Sequence, residues 1–184
     1  TDDAARGNDK SVTALKRYGR PQGAASRHGW ETGGADDKYL RWNNSKTGAS
    51  ANGSDDYRNE MNAQGYIVEI DPSDASSTPI KRTALGRIKH ENAAVVIARD
   101  GRVVVYMGDD ERGEFLYKYV SNGIYVPGGD TSKLLDEGML YVAKFSDEGT
   151  GEWLALTPET TGMKADEIAV FTRQAASKVG ATTM

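Results

Sequence analysis

The chain has 184 residues, a formal net charge of −4, 38% apolar residues, 21 glycines and no cysteine. That length suits one domain with a buried core, and the mild acidity, with no basic block at either end, argues against nucleic acid or an anionic membrane as a partner. The lack of cysteine excludes disulfides and thiolate metal ligands within the chain, and no apolar run approaches the roughly 20 residues of a membrane span.

Thr1 to Lys10 is polar and unpatterned. Ser11 to Tyr18 predicts a short helix, with Ser11 as N-cap, Val12 and Leu15 on one face and Gly19 as the stop. From Pro21 to Asn62 periodicity vanishes, in a segment rich in Gly, Asn, Asp and Arg with Trp30 and Trp42 set in it. So long a stretch either packs over a larger body through its aromatics or is functional.

Order returns at Gly65 to Pro72, where Tyr66, Val68 and Ile70 alternate and Asp71-Pro72 closes the run. Thr83 to Leu85 predicts the start of a further strand. Ala93–Ala98 and Arg102–Met107 flank Asp100-Gly101, a strong hairpin signal. Glu114–Val120, Met139–Phe145 and Gly151–Thr157 read as strands, and residues 164–180 as one helix with Ile168, Phe171 and Ala175 on one face. Strands recurring roughly every ten residues point to an all-β sandwich, barrel or propeller. Gly65 to Val120 predicts one antiparallel four-stranded sheet, the size of a propeller blade.

Three groups of residues can carry chemistry. In Lys89-His90-Glu91, the glutamate offers an oxygen to a hard cation and the histidine a nitrogen ligand or an orienting hydrogen bond; the plainer reading is the polar start of a strand. The second histidine of a zinc-protease helix is missing. Gly108 to Glu114 gathers Asp109, Asp110, Glu111 and Glu114, which suit Ca²⁺ or Mg²⁺ or make a solvated loop, but lack the spacing of a helix–loop–helix calcium site. Lys81, Arg82, Arg87 and Lys89 form a cationic group; Arg87 and Lys89 share one side of an extended strand, where guanidinium forks suit phosphate oxygens. With no Gly-x-Ser-x-Gly elbow, acyl chemistry is set aside.

The words DYRNEMNAQGYIVEIDP, KRTALGRIKHENAAV, VYMGDDERGEFLYKYVS, LDEGMLYVAKF and GEWLALT together resemble the secreted PhoX-type alkaline phosphatases, and AVFTRQAASKVGAT resembles that family too. The resemblance covers nearly the whole chain and is densest from Asp55 to Phe145. It implies a fragment of a β-propeller with antiparallel blades plus short helices: an irregular 1–64, blade strands over 65–157 and a helix over 164–180. It implies hydrolysis of small-molecule phosphate monoesters with calcium and ferric iron (Fe³⁺), in a protein exported by the twin-arginine route to the periplasm or beyond. Glu91 is then the first metal ligand, His90 its orienting neighbour, Arg87 a phosphate contact, and Asp110 and Glu111 further metal candidates. The family's upstream Cys-Glu-Glu word and downstream Asp-Arg-Pro-Glu word are absent here, so the chain is expected to be an internal piece, inactive alone and prone to aggregate. A non-catalytic, calcium-binding propeller module is the competing reading, since a fold does not fix a function.

Overall fold

The structure is a computed structural model and describes residues 16–19, 25, 27–29, 32–34, 50–52, 54–55, 57 and 60–184. The chain divides into two units, residues 1–64 and 65–184.

In the first unit, Lys16 and Arg17 are helical, and Gly19, with φ 71°, closes the turn by donating its N–H to the Lys16 carbonyl at 3.0 Å. The predicted stop is therefore in place. The start of that helix, the Thr1–Lys10 segment and both tryptophans Trp30 and Trp42 lie outside the described residues. Glu60–Ala63 forms one 3-10 turn.

The second unit is mainly β. Strands β1 (Ile67–Glu69) and β2 (Ile80–Arg82) pair antiparallel as a separate two-stranded ribbon. Strands β3 (Ala94–Ile97), β4 (Arg102–Gly108), β5 (Leu116–Ile124), β6 (Gly138–Phe145) and β7 (Gly151–Ala155) form a five-stranded antiparallel meander in chain order. The four-stranded sheet expected over Gly65 to Val120 is thus corrected to a ribbon plus the first three strands of a larger sheet. The expected strand at Thr83–Leu85 is a 3-10 turn; the strand lies just before it, at β2. Among the described residues neither sheet closes on itself.

The predicted hairpin is present. The N–H of Gly101 reaches the Ala98 carbonyl at 2.9 Å, and Gly101 takes φ 86°, the left-handed region open to glycine.

Three short helices follow the sheet: α1 (Pro158–Thr161), α2 (Ala165–Val170) and α3 (Thr172–Lys178). The single helix expected over 164–180 breaks at Phe171 (φ −111°, ψ 45°). The Thr172 hydroxyl lies 2.9 Å from the Ile168 carbonyl and 3.2 Å from that of Ala169; such back-bonding competes with the helix ladder and bends it. Ala175 and Ala176 are fully buried, and their small size lets α3 sit close to its neighbours. One face of the sheet (Val103, Val105, Met107, Tyr117, Tyr119, Leu140, Val142) shares a core with Leu85, Ile88, Ile168, Ala175 and Ala176.

A candidate metal and phosphate site at the start of β3

Residues Gly86 to Glu91 run between the 3-10 turn and β3. Gly86 needs to be glycine: its φ is 82°, and a Cβ there would meet Thr172 Cγ2 at 2.8 Å. The segment is a bend, not a strand, so Arg87 and Lys89 do not share a side. Arg87 is 3% exposed and turned inward; its backbone N–H donates to Thr172 Oγ1 at 2.8 Å and its guanidinium reaches the Val170 carbonyl at 3.4 Å. Lys89 points outward and pairs with Glu111. That ammonium holds the Glu111 carboxyl below the usual carboxylate range.

His90 forms an isolated antiparallel bridge with Asp109. The regular β3–β4 ladder begins at Ala94 opposite Tyr106, so Glu91, Asn92 and Ala93 face only Met107 and Gly108. One surplus residue on the first strand makes a bulge, a device that re-aims side chains. Glu91 sits in it, exposed and without a hydrogen bond or ion pair among the described residues. The His90 ring lies with Nε2 3.0 Å from the Gly86 carbonyl; a carbonyl only accepts, so Nε2 carries the proton. Nδ1 then presents a lone pair, and it is buried without a partner. Burial pushes the His90 pKa down, although the Gly86 hydrogen bond and the Asp109 charge oppose it.

Asp109 and Arg173 form the buried centre behind this segment. Arg173 Nε donates to Asp109 Oδ2 at 2.7 Å and its terminal nitrogen to Oδ1 at 2.6 Å, both side chains fully buried. Glu114 Oε1 stands 3.8 Å from Arg173 Nε. The backbone N–H of Lys89 also reaches Asp109 Oδ1, at 3.3 Å. Neither Arg173 nor Thr172 is assigned a role by sequence reasoning. No local signal marks them: Arg173 lies off the Ile168–Phe171–Ala175 face read from the sequence.

Asp110 is exposed, with its backbone N–H on the Lys89 carbonyl at 2.9 Å. Glu91, Asp110 and Glu111 therefore border one segment, but no three His, Asp or Glu side chains among the described residues converge tightly enough to hold an ion. Arg82, from the same cationic group in the sequence, is a buried structural hub: it binds Glu69 at 2.6 Å and Asp136 at 2.7 Å.

The family model described as alkaline phosphatase PhoX matches residues 5–184. A solved structure of Pseudomonas fluorescens PhoX in complex with vanadate, a transition state analogue, is 48% identical with a TM-score of 0.64. That alignment covers 69% of this chain and 25% of the Pseudomonas chain, so the chain spans about a quarter of that relative. No curated protein matches the chain.

Proposed function

Because the chain belongs to the alkaline phosphatase PhoX family, we propose that it is part of an enzyme that hydrolyses small-molecule phosphate monoesters, transferring the phosphoryl group to water with the help of metal ions. The observation that supports this most is the family match over residues 5–184. That membership supports a phosphatase. The phosphate monoester, calcium and ferric iron as the metals, export to the periplasm or beyond, and placement of the meander in a larger β-propeller are our reading.

The residues fit one border of a metal site rather than a whole one. Glu91 has the chemistry a hard cation takes, an exposed carboxylate oxygen with no competing cation among the described residues. The His90 Nδ1 lone pair, on the preceding residue, is buried and without a hydrogen-bond partner among the described residues. Asp110 is available in the same way, whereas Glu111 is already held by Lys89. The remaining ligands belong to residues outside this set. Bound metal ions supply charge withdrawal from the phosphoryl oxygens. This chain's own part is to hold Glu91 out of the sheet and to fix the His90 ring through Gly86. A guanidinium at Arg87 suits a phosphate oxygen chemically; its burial and its bond to the Val170 carbonyl weigh against direct contact.

The full-length protein, supplied with Ca²⁺, is expected to release p-nitrophenol from p-nitrophenyl phosphate and to stop when a chelator is added. Hydrolysis that is absent with both metals present would favour the non-catalytic calcium-binding module.

A further inference from the structure

We propose that the Asp109–Arg173 pair is a positioning device for the Lys89–Glu91 segment, and that Arg173 acts on the Glu91 carboxylate through Asp109. This rests on the reading of Glu91 as a metal ligand given above. The geometry is a relay across three parts of the chain. Arg173 grips both oxygens of Asp109 from α3, at 2.7 and 2.6 Å. Asp109 Oδ1 in turn takes the Lys89 N–H at 3.3 Å, and the Asp109 main chain bridges His90. The carboxylate is thereby fixed in plane by a two-toothed fork, and the main chain is fixed at the two residues before Glu91. Glu91 itself has no anchor of its own among the described residues and sits in a bulge, so its position is set by that main chain.

A fully buried ion pair is a poor source of stability. Apolar residues of similar volume do as well or better, because desolvation offsets the attraction. What apolar residues cannot supply is the directional bond to the Lys89 N–H. Positions one step removed from a metal are known to matter in this way: loss of such partners weakens metal binding about 10–100-fold.

The test uses the full-length protein carrying Asp109→Leu and Arg173→Leu together in a Glu114→Gln background, because the buried Glu114 carboxylate lies 3.8 Å from Arg173 Nε and would otherwise keep its charge while losing that cation. Three quantities are read: the thermal midpoint, amide exchange of the peptide containing Lys89 to Glu91 in the chelated protein, and the calorimetric Kd for Ca²⁺ alone. The expected result is faster exchange in that peptide and a Ca²⁺ Kd raised by about tenfold or more, with the thermal midpoint held. Unchanged exchange overturns the proposal. Faster exchange with unchanged Ca²⁺ binding also overturns it, provided Glu91→Gln weakens Ca²⁺ binding in parallel. If neither Glu91→Gln nor the double variant alters Ca²⁺ binding, the reading of Glu91 as a ligand fails first and the proposal falls with it. Should the double variant not fold, Arg173→Lys keeps the charge, loses the fork and is judged by the same readings.

Discussion

Thr172 and Arg87 are 85 residues apart in sequence, yet the side-chain oxygen of the first accepts the backbone N–H of the second at 2.8 Å in the protein interior. The same hydroxyl donates to the Ile168 carbonyl at 2.9 Å. Thr172→Val keeps the shape and removes both bonds, leaving the Arg87 N–H buried without an acceptor. A buried donor stranded in this way costs about 1–3 kcal/mol. Denaturant unfolding of the full-length protein should show a loss in that range; an unchanged midpoint would mean that the N–H finds another partner.

Gly86→Ala is expected to be worse than its one methyl suggests. The backbone sits at φ 82°, and the new Cβ would lie 2.8 Å from Thr172 Cγ2 and 3.0 Å from Leu140 Cδ2. Strain and overlap together should exceed about 1 kcal/mol. Gly108→Ala is the comparison, since nothing lies within 4 Å of a Cβ there. Equal melting temperatures for the two variants would contradict the argument.

Glu91→Gln preserves the side-chain shape and removes its charge, so iron and calcium content by elemental analysis, phosphatase rate, or both should fall in the full-length protein. Asp130→Asn is the control: Asp130 is exposed and merely accepts the Ser132 N–H at 2.8 Å in a turn. Normal metal and normal rate in the Gln variant would return Glu91 to an ordinary bulge residue.

Tyr119 sets an alkaline limit. It is fully buried, its hydroxyl donates to the Leu134 carbonyl at 3.1 Å, and burial, aided by the Asp136 charge, pushes its pKa well up. A raised folded-state pKa gives stability that is complete below the unfolded value of about 10 and is lost as pH rises above it. Melting temperatures taken from pH 8 to 11 should therefore drop at the alkaline end. Tyr119→Phe should start lower, through the lost hydrogen bond, and show a shallower alkaline drop. Parallel curves would show that another group controls the limit.

The edge strand β3 makes a prediction about the isolated 184-residue chain. Val95, Val96 and Ile97 are 61%, 48% and 47% exposed on an outer strand that carries no charge. Such an edge recruits further strands, so the isolated chain should scatter light on standing. Val96→Lys should suppress it, and equal scattering would point to another surface.

What the sequence made legible was local. Asp100-Gly101 announces its hairpin because the turn is set by the residues inside it, and β4 to β7 announce themselves by alternation. The break at Phe171 did not show: Thr172 back-bonds to Ile168 and Ala169 within its own stretch, but the inward position where it meets Arg87 is a contact that no window of neighbouring residues contains. Arg87 and Lys89 misled for a nearer reason: their two-residue spacing implies a shared side only in a strand, and Gly86 with its positive φ turns the segment into a bend. Glu91 was legible as a free carboxylate at the start of β3, but the bulge that exposes it depends on the His90–Asp109 bridge. The Asp109–Arg173 centre escaped altogether, each half looking like ordinary surface charge in its own stretch.

The separation of Arg87 from Thr172 also has a consequence in time. At typical rates of 5–20 residues per second, the ribosome delivers Thr172 on the order of 4–17 s after Arg87. Through that interval the Gly86–Glu91 stretch has been made but lacks both of its distant holds, the Thr172 oxygen and the Arg173 fork. α3, seven residues long, is too short to persist before it docks. The order of assembly is therefore fixed by the direction of synthesis: the Gly86–Glu91 segment is made early and gains its two distant holds only when the last helix arrives.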